Sequence, residues 1–222
     1  MAEDGAPRWL VVDGYEDEPA AFGVPPYVGF HVRYLCGVLE AHGVPYDYLT
    51  VDAWRALGRQ GEDAQRAMLD GRSGLALLAG AVVPGKYLRA TPISLPETKT
   101  LLRMLPADVP AVLGGWAIRG WRQQGWAPLR RSLFLALQDA DATLHHFLSS
   151  GRWEHKRRTA DQWTAWAQAG ATSKAVLEHP DLKHPDHDRA GPLTYEVEVY
   201  QGCVRYKRGC RFCIEPKKGT PI

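Results

Sequence analysis

The chain has 222 residues, of which 45% are hydrophobic and 23% charged, and its formal net charge is +2. This composition is typical of a globular protein, and the small charge gives no overall field that would select nucleic acid or an anionic membrane. The apolar runs are far shorter than the roughly 20 residues of a spanning helix, and the acidic first residues do not form a signal peptide. We therefore expect a cytoplasmic protein that does not contact a membrane.

Five apolar runs alternate with stretches of helical periodicity over about the first 150 residues. The runs predict strands at residues 8–14, 46–51, 74–80, 110–115 and 132–137. The intervening patterns predict helices at residues 28–42, 52–69 with a glycine interruption, 94–105, 126–131 and 142–149. Asp52 and Ser94 are the expected N-caps, and Glu97 completes a capping box with Ser94. Gly43 follows the first helix where a C-terminal glycine is favoured.

This alternation is typical of an α/β protein with a doubly wound, parallel, five-stranded sheet. We assign residues 1–150 to this Rossmann-like domain. In such sheets ligands bind beyond the carboxyl ends of the strands, so the loops at residues 13–27, 80–94 and 114–121 define the expected binding face.

Several side chains in this domain have two plausible roles. Asp13 can bind a ligand at the end of the first strand or cap a turn. Lys86, which follows Pro84 and Gly85, can contact a phosphate or be an ordinary loop lysine. Cys36 is expected to be a small buried apolar residue on a helix. Three tryptophans can line a pocket or pack in the core or at a domain interface: Trp116, Trp121 and Trp126.

The composition and the periodicity of the chain change at residue 151 and again at residue 194. Residues 151–193 contain basic runs and four histidines and predict a linker with a helix near residues 160–169. Residues 194–222 begin with an alternating strand at residues 194–200 that runs into a cysteine-containing loop. One strand and one loop cannot bury a core of their own. We therefore expect them either to pack on the first domain or to begin a second domain that this chain does not complete.

Three cysteines, Cys203, Cys210 and Cys213, form a C-x6-C-x2-C pattern in this last segment. Clustered thiolates select zinc, Cu(I) or an iron–sulfur cluster. Structural zinc would need a fourth ligand, from a linker histidine or Cys36, whereas a [4Fe–4S] cluster held by three thiolates leaves one iron open. The pattern favours the cluster, and a zinc loop or a small redox loop stays open as an alternative.

The residues around the cysteines suit a thiolate site. Residues 203–222 carry six lysines and arginines and one carboxylate, Glu215. Cationic neighbours lower the pKa of a thiol and stabilise the thiolate. Phe212, between the last two cysteines, can shield a metal centre from water. The basic residues have few aromatic partners, which argues against single-stranded nucleic acid as the ligand.

The predicted strand followed by Cys203, Cys210, Phe212 and Cys213 resembles the opening of a radical SAM (S-adenosylmethionine) domain. In that family three cysteines after the first strand of a partial barrel hold a [4Fe–4S] cluster. The open iron binds S-adenosylmethionine, which is cleaved by one-electron reduction. The residue before the last cysteine is commonly aromatic, as Phe212 is. The usual pattern is C-x3-C-x2-C, and the first gap here is longer by three residues.

The front part resembles the cobalamin (B12)-binding-like domain that precedes some radical SAM domains. The resemblance is carried by residues 13–19, 23–27 and 83–87 and implies a doubly wound sheet, as the strand pattern does. It makes cobalamin a possible cofactor. The candidate cofactor-binding residues are Asp13 and Lys86 in this front part and Phe212 in the cysteine-containing loop. The cobalt-binding motif D-x-H-x-x-G is absent from the chain.

Together these patterns predict a cluster-binding radical SAM fragment of which residues 194–222 are the first part of the barrel. The resemblance implies that the missing half of the barrel would act in trans or in a longer protein, with a reductant such as ferredoxin or flavodoxin. The isolated chain is expected to have little or no activity. The alternative is a non-catalytic scaffold stabilised by zinc or by the cluster, whose strand at residues 194–200 pairs with a partner.

Overall fold

A computed structural model describes residues 7–15, 29–80, 91–122 and 132–173 of the chain. They form five strands and seven helices. In chain order these are β1 (Arg8–Gly14), α1 (Phe30–Ala41), β2 (Tyr46–Thr50), α2 (Val51–Gln60), α3 (Glu62–Leu69), β3 (Arg72–Ala79), α4 (Leu95–Met104), β4 (Ala111–Gly114), α5 (Trp116–Trp121), β5 (Leu133–Leu135), α6 (Ala140–Ser150) and α7 (Ala160–Ala171).

The strands form one parallel sheet in the order β2-β1-β3-β4-β5. The chain moves from β1 outward to β2 and then crosses back to β3 on the other side of β1. The predicted α/β class and the doubly wound five-stranded sheet are therefore confirmed. In this topology the crossover reverses between β1 and β3, and the cleft at their carboxyl ends is the usual ligand position.

Both faces of the sheet are covered by helices, which is why the inner strands β1, β3 and β4 carry apolar runs without alternation. On one face Leu10 and Leu77 pack with α2, α3, α4 and α5. On the other face Val11 and Ala76 pack with α1, α6 and α7. Successive residues of β1 thus enter opposite cores, and Cys36 is a fully buried member of the second one, as predicted.

Local sequence signals fix several helix ends. The side chain of Ser94 accepts a hydrogen bond from the backbone N–H of Glu97 at 3.3 Å, and the Glu97 carboxylate accepts one from the backbone N–H of Ser94 at 2.8 Å, which confirms the capping box. The predicted cap of α2 is wrong. Thr50, not Asp52, accepts from the N–H of Ala53 at 3.1 Å, because the helix begins at Val51, two residues before the first helical residue that a cap at Asp52 implies.

The connection from β4 to β5 differs from the sequence prediction. The residues expected to form a glycine-containing loop at 114–121 contain the short helix α5. Gly115 has a φ of 96°, a left-handed value that glycine tolerates. It is the N-cap residue of this helix and follows the strand immediately. The helix predicted at residues 126–131 lies outside the described residues.

The first part of the predicted linker packs on the sheet domain. The predicted helix is present as α7, which has a capping box formed by Thr159 and Gln162. Trp166 and Ala167 of α7 are buried against α1 in the second core. Residues 152–173 therefore continue the packed body of the sheet domain, although the sequence assigns them to a linker.

None of the helices in the described part of the chain is long and apolar enough to cross a membrane.

Candidate functional site

The switch point between β1 and β3 is built from residues that follow β1. Asp13 is buried at the end of the strand. Its Oδ1 accepts a hydrogen bond from the backbone N–H of Tyr15 at 2.9 Å, and its Oδ2 accepts one from the hydroxyl of Tyr48 at 2.9 Å. The first bond closes a turn in which Tyr15 has a φ of 59°, a left-handed value uncommon for this residue. The structure therefore shows Asp13 in the turn-capping role, and its role toward a ligand stays a prediction.

The two tyrosines that are hydrogen-bonded to Asp13 have raised pKa values. Burial, followed by the nearby Asp13 charge, raises the pKa of Tyr48 far above its ordinary value. Burial is also the main cause that raises the pKa of Tyr15, with smaller contributions from Asp52 and Asp13. Both phenols therefore keep their protons and act as hydrogen-bond donors at this edge of the sheet.

A charged network centred on Arg55 lies beside the switch point. The guanidinium donates to Glu97 Oε1 at 2.7 Å and to Asp52 Oδ1 at 3.0 Å, and it also contacts the carbonyl oxygens of Thr91 and Pro92. The other oxygen of Asp52 accepts from the Tyr15 hydroxyl at 3.2 Å. The network therefore joins α2 and α4 to the chain that leaves β1.

The carboxylate of Glu97 is held ionised in this network. Burial alone would raise its pKa, but hydrogen bonds from Arg55 and Ser94 outweigh that effect and bring the pKa to about 2. The network also holds Thr91 and Pro92, which follow the segment at residues 81–90 that contains the candidate Lys86. That segment and Lys86 lie outside the described residues.

A second concave feature lies at the carboxyl ends of β4 and β5. It is a cavity of about 50 Å³ between the first turns of α1, α5 and α6. Its polar lining consists of His31, Trp116, Arg119, Gln138, Asp139 and Asp141. Trp116 thus faces a cavity, whereas Trp121 packs against the first core. Trp126 lies outside the described residues.

A buried cluster of charges forms one wall of this cavity. Arg158 Nε lies 3.4 Å from Asp141 Oδ2 and 3.5 Å from Asp139 Oδ2, and all three side chains are almost fully buried. The backbone N–H of Arg158 also donates to Asp139 Oδ2 at 2.8 Å. The guanidinium lies over the ring of Tyr34, 4.6 Å from its centroid, and 5.6 Å from that of Trp163. The cluster attaches the chain after α6 to the sheet domain.

The carboxyl group of Asp141 in this cluster has a raised pKa. Burial raises its pKa from 3.8 to about 6, and Asp139 adds to the rise, while Arg158 and His31 oppose it. A folded-state pKa above the unfolded value means that folding favours the protonated form. The resulting stabilisation is fully present below pH 3.8 and is lost as the pH rises through 6.

We expect the variant Asp141→Asn to lack this pH dependence. Relative to the variant, the wild-type protein should lose up to about 3 kcal/mol of unfolding free energy between pH 4 and pH 7, because each pKa unit corresponds to about 1.4 kcal/mol. Urea unfolding of both proteins across this range measures the difference. Equal pH profiles would show that the carboxyl group titrates normally.

The metal-binding residues predicted from the sequence are not placed by the structure. Cys203, Cys210, Cys213 and Phe212 all lie outside the described residues. Within the described residues, no group of three or more histidine, cysteine or acidic side chains could hold a metal ion. The described part of the chain therefore contributes the sheet edge and the cavity, and the cluster motif rests on the sequence.

Sequence reasoning missed the buried charge cluster. Asp139 and Asp141 could have been found from the sequence, because they follow the fifth strand and the carboxyl ends of parallel strands carry binding groups. Arg158 gave no such signal, since it lies in a basic run beside Arg157. Only the three-dimensional packing distinguishes the buried arginine from its exposed neighbour.

Comparison with known proteins gives two relatives of uncharacterized function. An uncharacterized protein of Methanocaldococcus jannaschii is 33% identical over 228 aligned positions, which cover 96% of this chain and 39% of the relative. An uncharacterized protein of Archaeoglobus fulgidus is 30% identical over 205 positions, which cover 92% of this chain and 34% of that protein. The chain thus spans well under half the length of these relatives. No family model matches the chain.

Two solved structures of one enzyme resemble the chain in part. They are the radical S-adenosylmethionine methyltransferase TsrM from Kitasatospora setae with cobalamin and a [4Fe–4S] cluster bound, and the same enzyme with tryptophan substrate and a SAM analogue bound. The first is 14% identical with a TM-score of 0.44 over 65% of this chain and 25% of the enzyme. The second is 15% identical with a TM-score of 0.42 over 65% and 26%. A likeness of this strength does not identify a ligand of this chain.

Proposed function

We propose that Cys203, Cys210 and Cys213 hold a [4Fe–4S] cluster and that, in a complete protein, this site reductively cleaves S-adenosylmethionine. The observation that carries the proposal is the C-x6-C-x2-C pattern directly after the alternating residues 194–200, which predict a strand. Cys203, Cys210 and Cys213 would hold the cluster and leave one iron open to S-adenosylmethionine. When bound, the cluster supplies the electron for cleavage, and ferredoxin or flavodoxin is the expected class of reductant.

The donor set of this segment fits such a cluster. Thiolates are the preferred ligands of iron–sulfur centres, and the cationic residues around them favour ionised cysteines. The match to the M. jannaschii protein covers 96% of the chain, so it reaches from the sheet domain into the cysteine-containing segment. The rest of a barrel and the substrate pocket would come from sequence beyond this chain.

Cobalamin fits the described residues less well. The chain lacks the D-x-H-x-x-G motif, so that motif supplies no imidazole to cobalt. At the end of β1, the two oxygens of Asp13 accept hydrogen bonds from Tyr15 and Tyr48. We therefore assign cobalamin no step in the proposed function.

Metal content tests this proposal directly. After anaerobic reconstitution with iron and sulfide, we expect about four irons per chain, with the charge-transfer absorption of a cubane cluster. The variant Cys210→Ala should lose most of the bound iron, because two thiolates no longer retain the cluster. The matched control is Cys36→Ala, which changes a buried cysteine in the sheet domain and should keep the iron.

Two results would contradict the proposal. About one tightly bound zinc with no stable iron would favour the alternative of a zinc-stabilised scaffold. If the variant Cys210→Ala retained its bound iron, Cys210 would not be a ligand and the cluster would be bound by other residues.

A further inference from the structure

The lining of the cavity at the carboxyl ends of β4 and β5 divides into buried residues, which we call the floor, and exposed residues, which we call the rim. Ala136, Asp139, Ala140 and Asp141 are buried residues of its lining, whereas Arg119 and Gln138 are exposed. An adjoining open depression shares Arg119 and is also lined by Gly120, Arg122 and Leu137. A ligand can therefore place a small group in the cavity while the remainder lies in the depression.

One buried oxygen of the lining lacks a hydrogen bond. Asp141 Oδ1 accepts from the backbone N–H of Ala142 at 2.8 Å. Its Oδ2 is buried and accepts no hydrogen bond from any described residue. Arg158 Nε is 3.4 Å from that oxygen, a distance of charge pairing without a hydrogen bond in this geometry. Because a buried acceptor without a donor is costly, the site favours a ligand group that supplies an N–H or O–H.

With the lining residue His31 in its neutral form, the charges around the cavity balance in number. The carboxylates of Asp139 and Asp141 are matched by the guanidinium groups of Arg158, behind the wall, and Arg119, at the rim. A charged ligand group would leave a net charge in a mostly buried site, which is unfavourable. The rim residues Arg119 and Gln138 can donate hydrogen bonds, so the ligand group should also carry an acceptor.

From these observations we propose that the cavity binds a neutral primary carboxamide group of a small-molecule ligand. Its NH₂ donates to Asp141 Oδ2 at the floor, and its carbonyl oxygen accepts from Arg119 or Gln138 at the rim. A primary amide carries donors and an acceptor at one end and has no charge. The residues of this site are other than those of the cysteine motif, and the inference goes beyond the proposed cluster function.

Acetamide is the probe that tests this site. We expect it to shift the backbone amide signals of Gly115 and Gln138 and the indole signal of Trp116 in ¹H–¹⁵N NMR spectra of the 222-residue chain. The shifts should saturate with a roughly millimolar Kd, as is usual for so small a fragment. N,N-dimethylacetamide, which has no N–H, should bind at least about tenfold more weakly, because it leaves the buried acceptor unpaired.

A cavity-filling variant controls for the location. Ala136→Leu places a larger side chain in the cavity without removing any charged residue, and it should abolish the saturable shifts. Its folding is verified by dispersed NMR signals from the rest of the sheet. The proposal is overturned if acetamide gives no saturable shift, which would indicate water as the occupant. It is also overturned if guanidinium binds more tightly than acetamide, or if Ala136→Leu folds and still binds acetamide.

Discussion

Replacing Arg158 with alanine is expected to lower the free energy of unfolding by about 3–5 kcal/mol, the cost of removing one partner from a buried ionic group. The change would leave Asp139 and Asp141 buried beside each other without their shared cation. It would also remove the guanidinium from the ring faces of Tyr34 and Trp163. Urea unfolding at pH 7 measures the loss.

Arg157→Ala is the matched control, because it removes the same side chain one position earlier at an exposed site. A surface change of this kind should alter stability by less than about 0.5 kcal/mol. Adding Asp141→Asn to Arg158→Ala should restore part of the loss, since it neutralises one of the stranded carboxylates. If Arg158→Ala were no worse than Arg157→Ala, the charge cluster would contribute nothing to the attachment of residues 152–173.

The inner strands β1, β3 and β4 were predictable from sequence because they are covered on both faces. Residues 9–12 of β1 are uninterrupted apolar positions, and the structure sends them alternately into two cores. The capping box at Ser94 was equally visible, since its two hydrogen bonds are local. Signals that depend on a few neighbouring residues, or on continuous burial, can be recognised without knowledge of the fold.

Features that depend on tertiary contacts were not predictable. The glycines at residues 114–120 suggest a loop, yet Gly115 is the N-cap residue of α5. The neighbouring strand β3 leaves room only for glycine at this position. A Cβ atom there would overlap the carbonyl oxygen of Ala79. Likewise, the basic run that contains Arg158 suggests solvent exposure, and the aromatic rings that cover this arginine come from α1 and α7, elsewhere in the sequence.

One part of the candidate functional site, the cysteine pattern, was found from the sequence, and another part, the cavity, was found from the structure. The cysteine pattern is local, so it was found by spacing alone, and it carries the proposed function. The cavity depends on α1, α5 and α6 meeting at one edge of the sheet, which no single segment encodes. Asp13 illustrates the limit, because its position at the end of a strand suggested a ligand, while its oxygens accept hydrogen bonds from Tyr15 and Tyr48.

The contact between α1 and α7 relies on two glycines. A Cβ atom on Gly37 would overlap the carbonyl oxygen of Trp166, and one on Gly170 would overlap the carbonyl oxygen of Arg33. The two helices therefore approach at backbone distance, and α7 is held there by Trp166, which is buried in the second core. This contact therefore fixes the position of α7 on the sheet domain.

Gly37→Ala is expected to destabilise the protein by about 3 kcal/mol, at the upper end of the usual cost of overpacking. The added methyl group meets a backbone carbonyl, which cannot turn away as a side chain could, so α7 must shift as a whole. Gly120→Ala is the control, because it adds the same methyl group to α5 where, among the described residues, no atom outside the helix backbone and the adjoining residues lies within 4 Å. Urea unfolding of both variants decides the point: equal stabilities would mean that α7 moves away from α1 at little cost and that the two helices do not require backbone contact.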